Sequence, residues 1–122
     1  MELFGNIDVM NKVLDAAMLK YSVISDNISN QDTPGYKRKD VAFEVFLEKE
    51  IDKKGINNIS IDKINPQIYI DKQNYAYRMD GNNVDIDMEM SEAAKVKLRY
   101  DTLIERTSAQ LSRFKTILQT IR

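Results

Sequence analysis

Apolar residues at the start of the chain follow the spacing of a helix. Leu3, Ile7, Met10, Leu14, Ala17, Tyr21, Ile24 and Ile28 alternate steps of four and three, an a/d seam unbroken for almost four heptads. No Gly or Pro follows Gly5 before Asn30, so the seam predicts a helix of roughly 25 residues, about 38 Å long. The other end repeats the pattern. Ala93, Val96, Tyr100, Leu103, Thr107, Gln110, Phe114, Ile117 and Ile121 again step by three and four. Leu98, Ile104, Leu111 and Leu118 widen that stripe, which gives the second helix apolar surface for more than one neighbour. Thr107 and Gln110 interrupt it with polar groups, where looser packing is expected.

Between the seams the period changes. Ser29 to Tyr36 is almost entirely polar or turn-forming, and Pro34-Gly35 suits the two central positions of a type II turn. Asp40 is placed to cap a short helix with Val41, Phe46, Leu47 and Ile51 on its apolar side. Ile59/Ile61 and Ile68/Ile70 alternate with polar residues, as short half-buried strands do, with Asn65-Pro66 turning between them. Tyr75, Tyr77 and Met79, then Asp80-Gly81, then Val84, Ile86 and Met88 predict a second hairpin. The expected fold is therefore mainly α: long terminal amphipathic helices paired as a coiled coil around a small irregular and β-hairpin middle. The divisions are residues 1–30, 31–88 and 89–122.

Charge supports the pairing. Residues 1–32 set Lys12 and Lys20 against Glu2, Asp8, Asp15, Asp26 and Asp32, a net −3. Residues 91–122 set Lys95, Lys97, Arg99, Arg106, Arg113, Lys115 and Arg122 against Glu92, Asp101 and Glu105, a net +4. The termini are electrostatic complements, as coiled-coil partners are. Eight seam residues contribute about 1.5–3 kcal/mol each on burial. Ordering the backbone costs about 1–2 kcal/mol per residue, so one helix pair alone is marginal and neighbouring subunits are expected to complete the burial.

Composition narrows the chemistry. The 122 residues suit one modest domain. Cys and His are both absent, which removes disulfides, thiolate chemistry, the commonest general base and the commonest transition-metal ligands. A net charge of −1 opposes binding through nucleic-acid phosphates, and no apolar run approaches a membrane span. The chain start lacks the pattern of a cleaved secretory signal. Asp85, Asp87 and Glu89 would share a face if extended, yet they are better explained as a solvated strand face or as acids opening a helix. The EF-hand pattern fails, because Gly81 directly follows Asp80 instead of occupying the sixth loop position. Lys37-Arg38-Lys39 reads as a surface or subunit-contact patch. Met10, Met18, Met88 and Met90 fit gap-filling at packed interfaces. No nucleophile–base pair can be argued, and no cofactor is called for. A coiled-coil adaptor or secretion chaperone, or an Asp/Glu-dependent enzyme with a pocket, stays open on the residues alone.

Two stretches go further. Ser25-Asp26-Asn27-Ile28-Ser29-Asn30-Gln31-Asp32-Thr33-Pro34-Gly35-Tyr36-Lys37, directly after the first helix, resembles the signature of bacterial flagellar rod and hook proteins. Asp80-Gly81-Asn82-Asn83-Val84-Asp85-Ile86-Asp87, with Glu89-Met90 and a long final helix behind it, is similar to the small proximal rod subunits of that family. Ser29 stands where the family commonly has Ala, and residues 48–74 carry no part of the resemblance. The resemblance implies a non-enzymatic structural subunit of the basal-body rod, exported without a cleaved signal and assembled through its terminal helices into a hollow shaft and channel. Another small rod subunit of the same axial family is the near alternative. The implied partners are copies of itself, other rod proteins, a FliE-type basal-body adaptor and the export gate. Asn27, Asn30, Thr33, Pro34, Gly35 and Tyr36 would form the family's turn. Leu3, Ile7, Met10, Leu14, Ala17, Tyr21, Ile24, Ile28, Val96, Tyr100, Leu103, Phe114, Ile117 and Ile121 would form the subunit-packing seam.

Overall fold

A computed structural model describes residues 3–55, 59–71 and 82–121, with side chains of the first helix described from Ile7 onward. Helix α1 spans Leu3–Ser29 and helix α3 spans Ile86–Thr120, so the described chain is mainly helical with long helices at both ends. Strand β1 (Lys39–Ala42), helix α2 (Glu44–Lys54), a 3-10 turn (Ile61–Lys63) and strand β2 (Gln67–Ile70) lie between them. The strands pair antiparallel, Lys39 opposite Ile70 and Ala42 opposite Gln67. α2 and the 3-10 turn are therefore inserted between the arms of one small ribbon. α1 and α3 run antiparallel: Asn27 meets Glu89 near one end, and Met10 meets Thr107 further along.

The middle region differs from expectation in three places. Asp40 does not cap a helix; it lies in β1, its Oδ1 accepting from the Val41 amide at 2.7 Å. Pairing with β2 holds residues 39–42 extended, so α2 starts only at Glu44, behind a buried Phe43 that offers no side-chain cap. Ile59/Ile61 do not form a strand. The 3-10 turn places Ile61 and Ile64 one turn apart, and Ile64 joins Ala16 and Phe43 in a buried cluster against which Val13, Leu47, Ile59 and Ile61 pack. β2 pairs instead with β1. Finally, Ile86 and Met88 are helical, because Asp85 caps α3 with Oδ1 accepting from the amides of Asp87 at 3.1 Å and Met88 at 3.4 Å. The other arm of that expected hairpin (Tyr75, Tyr77 and Met79) and its Asp80-Gly81 turn lie outside the described residues, as does the side chain of Leu3.

Burial along the helix pair is uneven. α1 has two sets of neighbours, α3 and the β1/3-10 region, and its buried positions are Ala16, Val23, Ile24 and Asn27. Ile7, Met10, Leu14, Ala17 and Ile28 are half-buried, and Tyr21 is exposed. On α3, Val96 and Thr107 are buried, and Ala93, Tyr100, Leu103, Gln110 and Phe114 are half-buried. Thr107 satisfies its hydroxyl on the Leu103 carbonyl at 2.8 Å, whereas the buried Gln110 Oε1 has no partner among the described residues. Leu98, Ile104, Leu111, Ile117, Leu118 and Ile121 are exposed. Stability should therefore fall along α3. Hydrogen exchange on dilute, monomeric protein should show amides of residues 89–96 protected at least about tenfold more than those of 111–120. Uniform protection along the helix would contradict this distribution.

Candidate functional site

The turn after α1 is built from local bonds. The Asn30 amide and its Nδ2 both donate to the Asp26 carbonyl, at 3.0 and 2.8 Å, which ends the helix. Thr33 returns to Asn30 twice: its amide to the carbonyl at 3.0 Å and its hydroxyl to Oδ1 at 3.1 Å. The Tyr36 amide closes onto the Thr33 carbonyl at 3.1 Å across Pro34-Gly35, with Gly35 at φ +74°. A Cβ at Gly35 would meet nothing within 4 Å, so glycine is needed there for its backbone conformation and not for space.

This turn delivers Tyr36, Arg38 and Lys39 to Asn27, which is fully buried on the last turns of α1. Asn27 Nδ2 donates to the Lys39 carbonyl at 2.8 Å and to Glu89 Oε2 at 3.3 Å. Its Oδ1 accepts from the Lys39 amide at 2.9 Å and from the Tyr36 hydroxyl at 3.1 Å. Both donors and both acceptor positions of one carboxamide are thus used, joining α1, the turn, β1 and α3.

Glu89 is held from its other side by Arg38. Arg38 Nε donates to Glu89 Oε1 at 2.7 Å and Nη1 to Asp71 Oδ2 at 2.7 Å, while Nη2 lies 3.5 Å from Asp40 Oδ2. The backbone follows the side chain. The Arg38 amide donates to Asn83 Oδ1 at 2.7 Å, its carbonyl accepts from the Asp71 amide at 2.9 Å, and Asn83 Nδ2 donates to the Asp71 carbonyl at 3.1 Å. Next to Asn83, the fully buried Asn82 donates from Nδ2 to the Gln31 carbonyl at 2.7 Å. Burial works to lower the Arg38 pKa, but hydrogen bonds to Glu89 and Asp71 and the charges of Glu89 and Asp40 outweigh it and raise it. Arg38 stays a cation, and Glu89 is a buried carboxylate with a charged partner. The Tyr36 phenol is pushed above its ordinary value by burial, with the charges of Asp26 and Glu89 adding to the shift.

The two quoted stretches, far apart in sequence, therefore meet in one polar node. Of the expected turn residues, Asn27 and Tyr36 are part of it, while Asn30, Thr33, Pro34 and Gly35 shape the approach. Arg38, read as part of a surface patch, is its centre. Glu89, grouped with solvated acids, is buried in it; Asp85 caps α3 and Asp87 is exposed, so the three share no face. Stepping back four residues from Ala93 along its own seam lands on Glu89, and that register was the signal for its burial. A cleft of about 370 Å³ opens beside the node, lined by Lys20, Ile24, Arg38, Asp71, Asp85 and Glu92 among others. Acids outnumber bases in its lining, where Lys20 and Arg38 face Asp40, Asp71, Asp85, Glu89 and Glu92, but Arg38 is shared among three of those carboxylates and Asn83 is bonded at both ends of its amide, an arrangement suited to fixing geometry.

Comparison with known proteins points the same way. The family model described as flagella basal body rod protein matches residues 14–37, the second half of α1 and the turn. The chain is 35% identical over 127 residues to the flagellar basal body rod protein FlgB of Bacillus subtilis (strain 168), covering 97% of both chains. It is 32% identical to FlgB of Borrelia hermsii, covering 92% of each, and 30% identical to FlgB of Aquifex aeolicus (strain VF5), covering 98% of this chain and 97% of the relative.

Two measurements check the node. Asn27→Ala strands the Lys39 amide and carbonyl and weakens the hold on Glu89. Urea unfolding should show a loss of about 2–4 kcal/mol, against about 1 kcal/mol for Tyr36→Phe. Because the folded chain holds the Tyr36 proton more tightly, that contribution is complete below the ordinary tyrosine value of 10.0 and is lost as pH rises through the raised one. A tyrosinate absorbance titration, wild type minus Tyr36→Phe, should show a phenol ionising above 10.0; one ionising at or below it contradicts the assignment.

Proposed function

The chain belongs to the FlgB family of flagellar basal body rod proteins and is a structural subunit of the proximal rod, and on that premise we propose how its parts serve the assembly. Residues 1–30 and 89–122 are the assembly segments, and residues 31–88 set the bend and the outer contacts. The observation that carries this reading is the amount of large apolar surface left open on a pair of already packed helices: Tyr21, Leu98, Leu111 and Ile117 are all exposed within one chain. Soluble monomers rarely leave so much large apolar surface uncovered. Ile24 and Val96 hold the helices of one subunit together, and Tyr21, Ile117 and Ile121 face its neighbours.

The turn of Asn27, Asn30, Thr33, Pro34, Gly35 and Tyr36 fixes the angle at which the middle region leaves the assembly helix. The partners are other rod subunits, copies of this chain, the FliE-type adaptor and the export gate, through which the chain reaches the basal body. The role is scaffolding, without catalysis: the charged groups of the node are spent on one another.

Separating internal from external positions supplies the test. Ile117→Asp changes an exposed side chain, so the stability of the purified chain should stay within about 0.5 kcal/mol of wild type. In a strain lacking the protein, the same variant should fail to restore rods and motility, because each subunit contact would bury a carboxylate. Normal motility with Ile117→Asp and Tyr21→Asp would remove the helix pair as the assembling surface.

A further inference from the structure

The small ribbon has one covered edge and one open edge. Lys39 points its amide and carbonyl away from β2, where Asn27 takes both, the carbonyl at 2.8 Å and the amide at 2.9 Å. Lys39 and Ile70 are therefore a non-hydrogen-bonded pair. It follows that Ile70, and Ile68 two residues before it, point their own amides and carbonyls away from β1. Among the described residues no hydrogen bond reaches those outward groups. The side chains are open as well: Ile68, Tyr69 and Ile70 are 53%, 45% and 52% exposed.

Edge strands are ordinarily blunted by a charge, a proline or a bulge. Gln67-Ile68-Tyr69-Ile70 has none of these: it is uncharged, rich in β-branched and aromatic side chains, and regularly paired with β1. Pro66 lies before the strand, and Asp71 after it is held by Arg38 at 2.7 Å. The edge also complements itself. Turned about a two-fold axis through Tyr69, each Ile68 meets Ile70 of the other copy and exchanges both hydrogen bonds with it, so no outward group of either isoleucine is left over. The same rotation sets Tyr69 against Tyr69 as a close pair and Asp71 against neutral Gln67, so no like charges face each other.

We infer that β2 pairs edge to edge with β2 of a second copy of this chain, antiparallel about Tyr69, joining two ribbons into one four-stranded sheet. The contact lies in the middle region, away from the helix surface that the rod reading invokes, and goes beyond that reading. It is isologous and closes on itself, so it yields a dimer and not a growing series. So short an edge buries less than the roughly 1,200 Å² of a stable interface, and the pairing is therefore transient and populated at high concentration. It withdraws from solvent a stretch of backbone otherwise open to any extended segment.

The full chain has no cysteine, so a single introduced thiol reports the geometry. Across the axis the two Tyr69 Cα atoms would stand about 4.5 Å apart, within the span of a disulfide. Tyr69→Cys, kept at about 1 mM in oxidising buffer, should cross-link to a dimer at least about tenfold faster than Met18→Cys, a control at an exposed position of α1. Two edge changes added to Tyr69→Cys complete the test. Ile70→Pro removes an outward amide that β1 does not use, and Ile68→Lys/Ile70→Lys sets lysines opposite one another across the axis. Circular dichroism and urea unfolding check that both stay folded, and each should cross-link no faster than Met18→Cys. Trapping of Tyr69→Cys no faster than that control, or trapping unchanged when the edge is blocked, overturns the proposal. Complementation reads the rod assignment separately. In a strain lacking the protein, Ile68→Lys/Ile70→Lys should restore rods as wild type does; loss of rods with this variant alone would place the edge inside the rod and overturn the closed dimer. If wild type itself restores none, the rod assignment fails.

Discussion

A carboxamide buried between two helices has to spend all its hydrogen-bonding capacity or destabilise the fold, and Asn27 spends all of it. Its four bonds reach three other parts of the chain, so none of them can shift by a residue without orphaning a buried group. Sliding α1 along α3 by one turn would keep an apolar stripe facing an apolar stripe, but it would separate Asn27 from Glu89. Apolar seams favour contact and are tolerant of register; the polar node is not. The alignment of the terminal helices, and therefore which apolar residues end up covered, follows from the node.

That alignment makes the subunit asymmetric. Around Asn27, Arg38 and Glu89 the chain is tied by ion pairs at 2.7 Å and by the Asn82 and Asn83 side chains gripping the turn and β1. Away from it, α3 carries a buried Gln110 oxygen without a partner among the described residues and then three exposed aliphatic side chains. One end is fixed by its polar bonds; the other leaves the apolar stripe of α3 exposed. A subunit that must hold a bend rigidly and still leave helix surface open for neighbours needs that division, and the polar groups provide the rigidity without consuming the apolar stripe.

How much of this was legible depended on whether one period governed a segment. The terminal helices were legible because their seams repeat for many residues, and the turn was legible because Pro34-Gly35 admits few conformations. Short middle segments were not. Ile59, Ile61 and Ile64 satisfy a strand or a 3-10 turn equally well, and the cluster with Ala16 and Phe43 decides between them. Asp40 is a good cap in isolation and lost that role to strand pairing. The node was missed because its members lie up to 62 residues apart, as Asn27 and Glu89 do, and because Arg38 stands between two lysines that make it look like surface. Glu89 could have been found: it occupies a seam position, and a carboxylate on a buried stripe calls for a buried cation.

The central claim is that Arg38 and Glu89 act as one unit. A double-mutant cycle with Arg38→Met and Glu89→Leu, read by urea unfolding of the full chain, measures it most directly. Arg38→Met leaves the buried Glu89 without its cation and should cost about 3–5 kcal/mol; Glu89→Leu leaves Arg38 still paired with Asp71 at 2.7 Å and should cost less, and the double variant should recover at least about 2 kcal/mol of the summed loss. Losses that add to within about 0.5 kcal/mol would mean that the two residues do not depend on each other, and the account of the node would be wrong.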